Sequence, residues 1–156
     1  MVSRGFFGIL ALLRIAAGVS LLLAGIGKLS WFGNPGILEQ TLTGFAAHAA
    51  NPLVAKYLAL VQPHYAIFAR VVALGELGLG TLLVVGFLTP VASLLAFLMV
   101  FQFFFASSQV FTQKFYSGSA GCCYTLIFLV LFAGRAGTAL GLDGMLGGRK
   151  AKASSA

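Results

Sequence analysis

Four long stretches of this chain carry almost no charge, and that constrains its fold more than any other feature. They cover about residues 6–29, 65–88, 91–112 and 118–134. A helix needs about 20 mostly apolar residues to cross the hydrocarbon of a bilayer. Backbone groups in lipid must be bonded internally, so apolar runs of this length predict helices rather than strands. The first run follows Arg4 as a signal peptide would, but it is too long for a signal core and contains Arg14. No small-x-small cleavage site follows, which predicts a retained span. The expected fold is therefore all-α: an integral membrane four-helix bundle with a short helical extracytoplasmic cap over residues 30–64. The transmembrane domain is expected over 1–145 and a disordered basic cytoplasmic tail over 146–156.

Composition agrees. The chain is 60% hydrophobic and only 8% charged, where a soluble domain has about 25% charged residues. This excludes a soluble enzyme. The net charge of +7 comes from ten Lys and Arg against three acids. These cations are scattered singly until the tail, so they form no nucleic-acid footprint. Four spans place both termini on one side. Arg4, Arg135, Arg149, Lys150 and Lys152 flank that side, and Lys28, Lys56 and Lys114 the other. Cationic flanks face the cytoplasm, which predicts cytoplasmic termini.

The connections have their own signals. Gly86-Phe87-Leu88-Thr89-Pro90 reads as a tight hairpin, with Thr89 as N-cap and Pro90 in the first turn of the third span. Asn34-Pro35 and Asn51-Pro52 each read as an N-cap followed by a first helical residue. They predict short helices over 35–47 and 52–61. Trp31, Phe32 and Tyr57 are expected at headgroup level.

Ionisable groups inside a span cost about 2.5–3.5 kcal/mol each even on lenient scales. Arg14, Arg70 and Glu76 are in that position. Counted from the inner ends of their spans, Arg14 and Glu76 differ in depth by roughly 6 Å. An Arg14–Glu76 pair is thus the economical expectation. Gly18, Gly25 and Lys28 share a face with Arg14, and Ala73 and Gly80 share one with Glu76. Small residues mark the packed side of a membrane helix. Gln102 falls at similar depth, with Ala106, Gln109 and Gln113 continuing its stripe outward. Cys122 and Thr125 add to a polar seam whose mouth is ringed by Lys28, His64, Tyr65 and Arg70. These groups are either interhelical glue or the lining of a site for an amphipathic, redox-active ligand. In the second case Glu76 is a candidate proton acceptor.

Cys122 and Cys123 are adjacent, and no CxxC is present. They read as small residues packed in an apolar helix, and His48 as a surface residue of the cap. No metal site, phosphate loop, dinucleotide fingerprint, haem-attachment motif or nucleophile elbow occurs.

Leu12-Leu13-Arg14-Ile15-Ala16-Ala17-Gly18 and Ala24-Gly25-Ile26-Gly27-Lys28-Leu29 resemble the first helix of the DoxX family. Gly75-Glu76-Leu77-Gly78-Leu79-Gly80, running to Val85-Gly86-Phe87-Leu88-Thr89-Pro90, resembles its second helix and hairpin. Gly134-Arg135-Ala136-Gly137 through Gly141-Leu142-Asp143-Gly144 resembles its closing segment. The resemblance implies a four-helix bundle in the bacterial inner membrane. It marks Arg14, Lys28, Glu76 and Asp143 as a candidate site or structural signature. The family takes its name from a subunit of a thiosulfate:quinone oxidoreductase, and other members are linked to redox and thiol-stress complexes. Three readings follow. The first is a membrane subunit of an oxidoreductase, with a bound quinone or lipid near Arg14, Glu76, Gln102, Lys28 and Arg70. The second is a non-catalytic anchor or assembly subunit. The third is a small-solute transporter. The expected partners are the bilayer and a larger complex or further copies of the chain, with no nucleic acid.

Overall fold

The computed structural model describes residues 4–49, 51–117, 121–134, 136–138 and 141–144. The expected basic tail lies outside them. The described residues form helices and their connections, with no strand among them. The long elements are α1 (Arg4–Gly27), α5 (Tyr65–Val85) and α6 (Thr89–Ala106). Between α1 and α5 lie the short helices α2 (Ser30–Gly33), α3 (Gly36–Ala47) and α4 (Pro52–Val61). After α6 come α7 (Gln113–Ser117) and α8 (Gly121–Ala133). Three stretches, Gly8–Gly33, Pro52–Val85 and Thr89–Ala106, are long and apolar enough to cross a membrane. α8 is apolar but has 13 residues. At 1.5 Å per residue that is roughly 20 Å, short of a hydrocarbon core of about 30 Å.

α1 shows how these helices divide their faces. Leu10, Arg14, Ala17 and Leu21 are buried, while Ile9, Leu12, Val19, Leu23 and Ile26 stand exposed. Both sets recur every three to four residues, so each is one side of the helix. Large apolar side chains turned outward with a polar group turned inward suit a lipid solvent.

α1 and α5 pack antiparallel at very short range. A Cβ on Gly18 would meet the Gly80 carbonyl at 2.9 Å and Val84 at 2.9 Å, and one on Gly25 would meet Leu77 at 2.9 Å. The hydrogen-sized side chains let the two backbones touch. These contacts fix the register of everything else on the two helices. α5 then turns into α6, and Gly75 approaches the Met99 sulfur. One apolar core joins α1, α5, α6 and α8 through Leu21, Leu83, Ala96 and Phe128. A second joins the short helices to α5 and α6 through Trp31, Leu42, Leu58 and Val72.

The short helices follow their local signals closely. Asn51 caps α4, its side chain accepting from the Leu53 N–H at 2.9 Å, with Pro52 in the first turn. One expectation is corrected: Asn34 supplies no side-chain cap, and α3 starts after Pro35. Trp31 is buried in the second core. A ring with more than 150 Å² to remove from water prefers that core wherever neighbours close over it.

The hairpin between α5 and α6 differs more. Gly86 turns at φ +73° and Leu88 at φ +48°. The Thr89 hydroxyl does not cap α6; it is fully buried and finds no partner among the described residues. The cap comes from Asp143. Its carboxylate accepts from the Leu88 and Thr89 N–H groups at 2.8 Å each, and its own N–H donates to the Gly86 carbonyl at 3.0 Å. A carboxylate on the unpaired N–H groups of a helix start also meets the positive end of the helix dipole.

Candidate functional site

Arg14 of α1 and Lys28, in the turn after it, take different partners, and the expected Arg14–Glu76 pair does not form. The register set by Gly18 and Gly25 explains this. Lys28, three residues beyond Gly25, falls beside Glu76. Arg14, one turn before Gly18, falls beside Gly86. The Lys28 Nζ donates to both carboxylate oxygens of Glu76 at 2.6 Å. Arg14 and Lys28 are separated by roughly 21 Å along the helix axis. A depth count from the sequence takes each residue from the end of its own span. α1 in fact begins about ten residues before the point level with the end of α5, and that offset moves Arg14 away from Glu76.

Arg14 is fully buried and its Nη1 donates to the Ala136 carbonyl at 3.1 Å. A Cβ on Gly86 or Gly141 would collide with that nitrogen, and one on Gly137 would collide with Asp143 and Thr89. Asp143 attracts the guanidinium electrostatically. This end of the molecule is a lock: Arg14 and Asp143 fasten the closing segment to the α5–α6 hairpin.

The Lys28–Glu76 end is built differently. Lys28 lies in the turn that closes α1, where its backbone N–H donates to the Gly25 carbonyl. A cation suits this C-terminal end of a helix dipole. Glu76 comes from the middle of α5 and its side chain is only 8% exposed, against 20% for Lys28. The ammonium lies 5.6 Å from the centre of the Trp31 ring and 5.7 Å from that of Phe103. Such rings attract a cation most strongly where water is excluded. The pair borders a cavity of about 150 Å³ whose other walls are Met99, Val100, Phe103, Phe104 and Tyr124. The Tyr124 hydroxyl accepts from Ser20 Oγ at 3.1 Å. The arrangement places a net-neutral pair of charges, rich in N–H donors and carboxylate acceptors, on the wall of an apolar, aromatic chamber.

Other expected members of the site lie elsewhere. Gln102 lines a separate cavity of about 20 Å³ with Tyr57 and Val72. The Gly75–Met99 contact sets the α5–α6 register so that Gln102 faces Val72, one turn outward from Glu76. Arg70 is exposed on the side of α5 that carries Ile67, Val71 and Leu74. Six residues at 100° each turn it well away from Glu76. The polar seam is not continuous: α6 ends at Ala106, and Gln109 and Gln113 are exposed. His64 is exposed as well. Thr125 satisfies its hydroxyl on the Gly121 carbonyl at 2.8 Å. Cys122 and Cys123 are free thiols, half-buried and exposed respectively.

Sequence reasoning missed Trp31, Phe103, Phe104, Met99 and Tyr124. Trp31 follows Lys28 by three residues, so a continued helical turn would have paired them. Tyr124 is the only tyrosine of the final apolar run and carries a hydroxyl that lipid does not satisfy. The α6 aromatics gave no signal, because lipid-facing and site-facing phenylalanines look alike in a sequence.

A family model described as DoxX matches residues 9–108. That range holds Arg14, Lys28, Glu76 and Gln102, while Asp143 lies beyond it. No curated protein and no solved structure matches the chain.

Proposed function

The chain belongs to the DoxX family, and on that premise we propose that it is the membrane subunit of a quinone-linked oxidoreductase. Its own part is to hold the ring of the quinone against the Lys28–Glu76 pair. One observation carries the reading: a buried ion pair faces an apolar cavity instead of being packed over by side chains. Breaking a buried pair costs a protein about 3–5 kcal/mol, yet apolar replacement of both partners is often neutral. Stability alone therefore gives weak reason to keep one beside an open chamber. A cavity of about 150 Å³ matches the size known to admit a benzene-sized ring. The pair is neutral as a whole, so it suits a polar but uncharged headgroup.

The fuller architecture belongs to the same proposal. α8, lengthened by its flanking chain, is the fourth crossing of a four-helix bundle with α1, α5 and α6. Helices α2–α4 cap the extracytoplasmic end, near Lys28 and Glu76. Both termini are cytoplasmic and the membrane is the bacterial inner membrane, following the cation tally. The redox centre is carried by a partner subunit.

Mass spectrometry of lipids extracted from the detergent-purified protein tests the reading. An isoprenoid quinone should be enriched over the bulk membrane extract in the native chain and depleted in Glu76→Gln. Equal quinone content in both samples overturns it. A co-purifying partner without quinone favours the anchoring role.

A further inference from the structure

Two hydrogen-bond donors on the cavity wall have no acceptor among the described residues. Lys28 has three N–H groups. Two are taken by the two oxygens of Glu76. The Tyr124 oxygen already accepts from Ser20 Oγ, which leaves its own proton to be donated. Both side chains border the same cavity. Of the remaining lining, Met99, Val100, Phe103 and Phe104 offer no strong acceptor, and both oxygens of the Glu76 carboxylate already accept from Lys28.

We propose that Lys28 and Tyr124 form a two-donor clamp that selects a neutral ring carrying a carbonyl oxygen. This rests on the ring-binding reading above and adds a specificity to it. A quinone carbonyl has two lone pairs and no proton, so it can take both donors. A hydroquinone hydroxyl oxygen can also accept, but it brings a proton whose one strong acceptor on this wall is the carboxylate already bonded to Lys28, so it competes less well. A buried donor left unpaired costs more than a hydrogen bond gains, so the preference comes chiefly from the wrong ligand. The clamp thus favours the oxidised form of the ring, and Tyr124 is a specificity residue that touches the ligand.

Trp31 is the only tryptophan of the chain and lies beside Lys28, so its fluorescence reports on ligands next to the pair. The probes are duroquinone, its hydroquinone held reduced, and durene, which has the same ring and methyl groups but no oxygen. Full ring substitution prevents addition of the exposed Cys123 thiol to the quinone. The native protein in detergent should bind duroquinone more tightly than either analogue. Tyr124→Phe removes one hydroxyl and should weaken duroquinone binding about fivefold, the worth of one hydrogen bond, with durene unchanged. A size-exclusion profile like the native one confirms that the variant is folded. Ser20→Ala, which leaves the Tyr124 proton in place, is the companion variant and should retain the preference for the quinone. Equal affinity for duroquinone and its hydroquinone, or an unchanged preference in Tyr124→Phe, overturns the clamp and leaves the ring site standing. If none of the three probes binds the native protein, the ring-binding reading fails first.

Discussion

At the scale of single residues, the decisive fact is that Glu76 takes Lys28 and not Arg14. Both carboxylate oxygens are held at 2.6 Å, so removing one partner strands the other in an apolar wall. Lys28→Met and Glu76→Gln should each destabilise the protein by about 3 kcal/mol. The double variant Lys28→Met/Glu76→Met should recover most of that loss, because no buried charge remains. Thermal unfolding in detergent, followed by Trp31 fluorescence, measures all three. Additive losses in the double variant would mean that the pair is not coupled. The sequence marks Arg14, Arg70 and Glu76 as residues lipid rejects and Lys28 as one at the mouth; Arg14 and Glu76 are buried, while Arg70 is exposed. It could not show their partners, because pairing depends on how far one helix slides along another. Two contacts of glycine on glycine and leucine set that slide, and they become visible only when the helices are docked.

At the scale of elements, the outcome follows how local each signal is. α4 appeared over its expected residues because Asn51 and Pro52 sit beside the N–H groups they serve. The start of α6 did not follow its adjacent Thr89, because a carboxylate brought in from Asp143 satisfies the same N–H groups with a full charge. Glycine has the same division within one helix. On α5, a Cβ at Gly78 meets nothing within 4 Å, while one at Gly80 meets the Gly18 carbonyl at 2.9 Å. Gly78→Ala should stabilise the protein by about 0.5–1 kcal/mol through helix propensity. Gly80→Ala should destabilise it by about 1–3 kcal/mol, since the backbone of α1 must move. Reversible unfolding in mixed micelles compares the two. A similar effect from both would mean that the α1–α5 approach is looser than it stands here.

At the scale of the whole molecule, the polar centres at Arg14 and Lys28 occupy opposite ends and differ in kind. Arg14 is closed in by glycines and carbonyl groups, and Lys28 opens on a chamber. On the proposed topology the chamber lies on the extracytoplasmic side. A reporter enzyme active only outside the cytoplasm should therefore be silent when fused at either terminus and active when inserted between α3 and α4. The opposite pattern would invert the molecule and move the ring site to the cytoplasmic leaflet. That the chain is helical and crosses a membrane was legible from its apolar runs alone. The last of those runs is also the shortest in the sequence, but that α8 holds only 13 residues was not legible, because run length does not reveal where a helix stops.

The long reach of Asp143 also bears on how the molecule is made. The hairpin and the first residues of α6 leave the ribosome more than fifty residues ahead of the side chain that fastens them. Until then the peptide N–H groups at Leu88 and Thr89 lack their carboxylate, and the guanidinium of Arg14 lacks the Ala136 carbonyl. A nascent chain interrupted in between would sit in the bilayer with its seams unsewn, a state that membrane proteases are well placed to find.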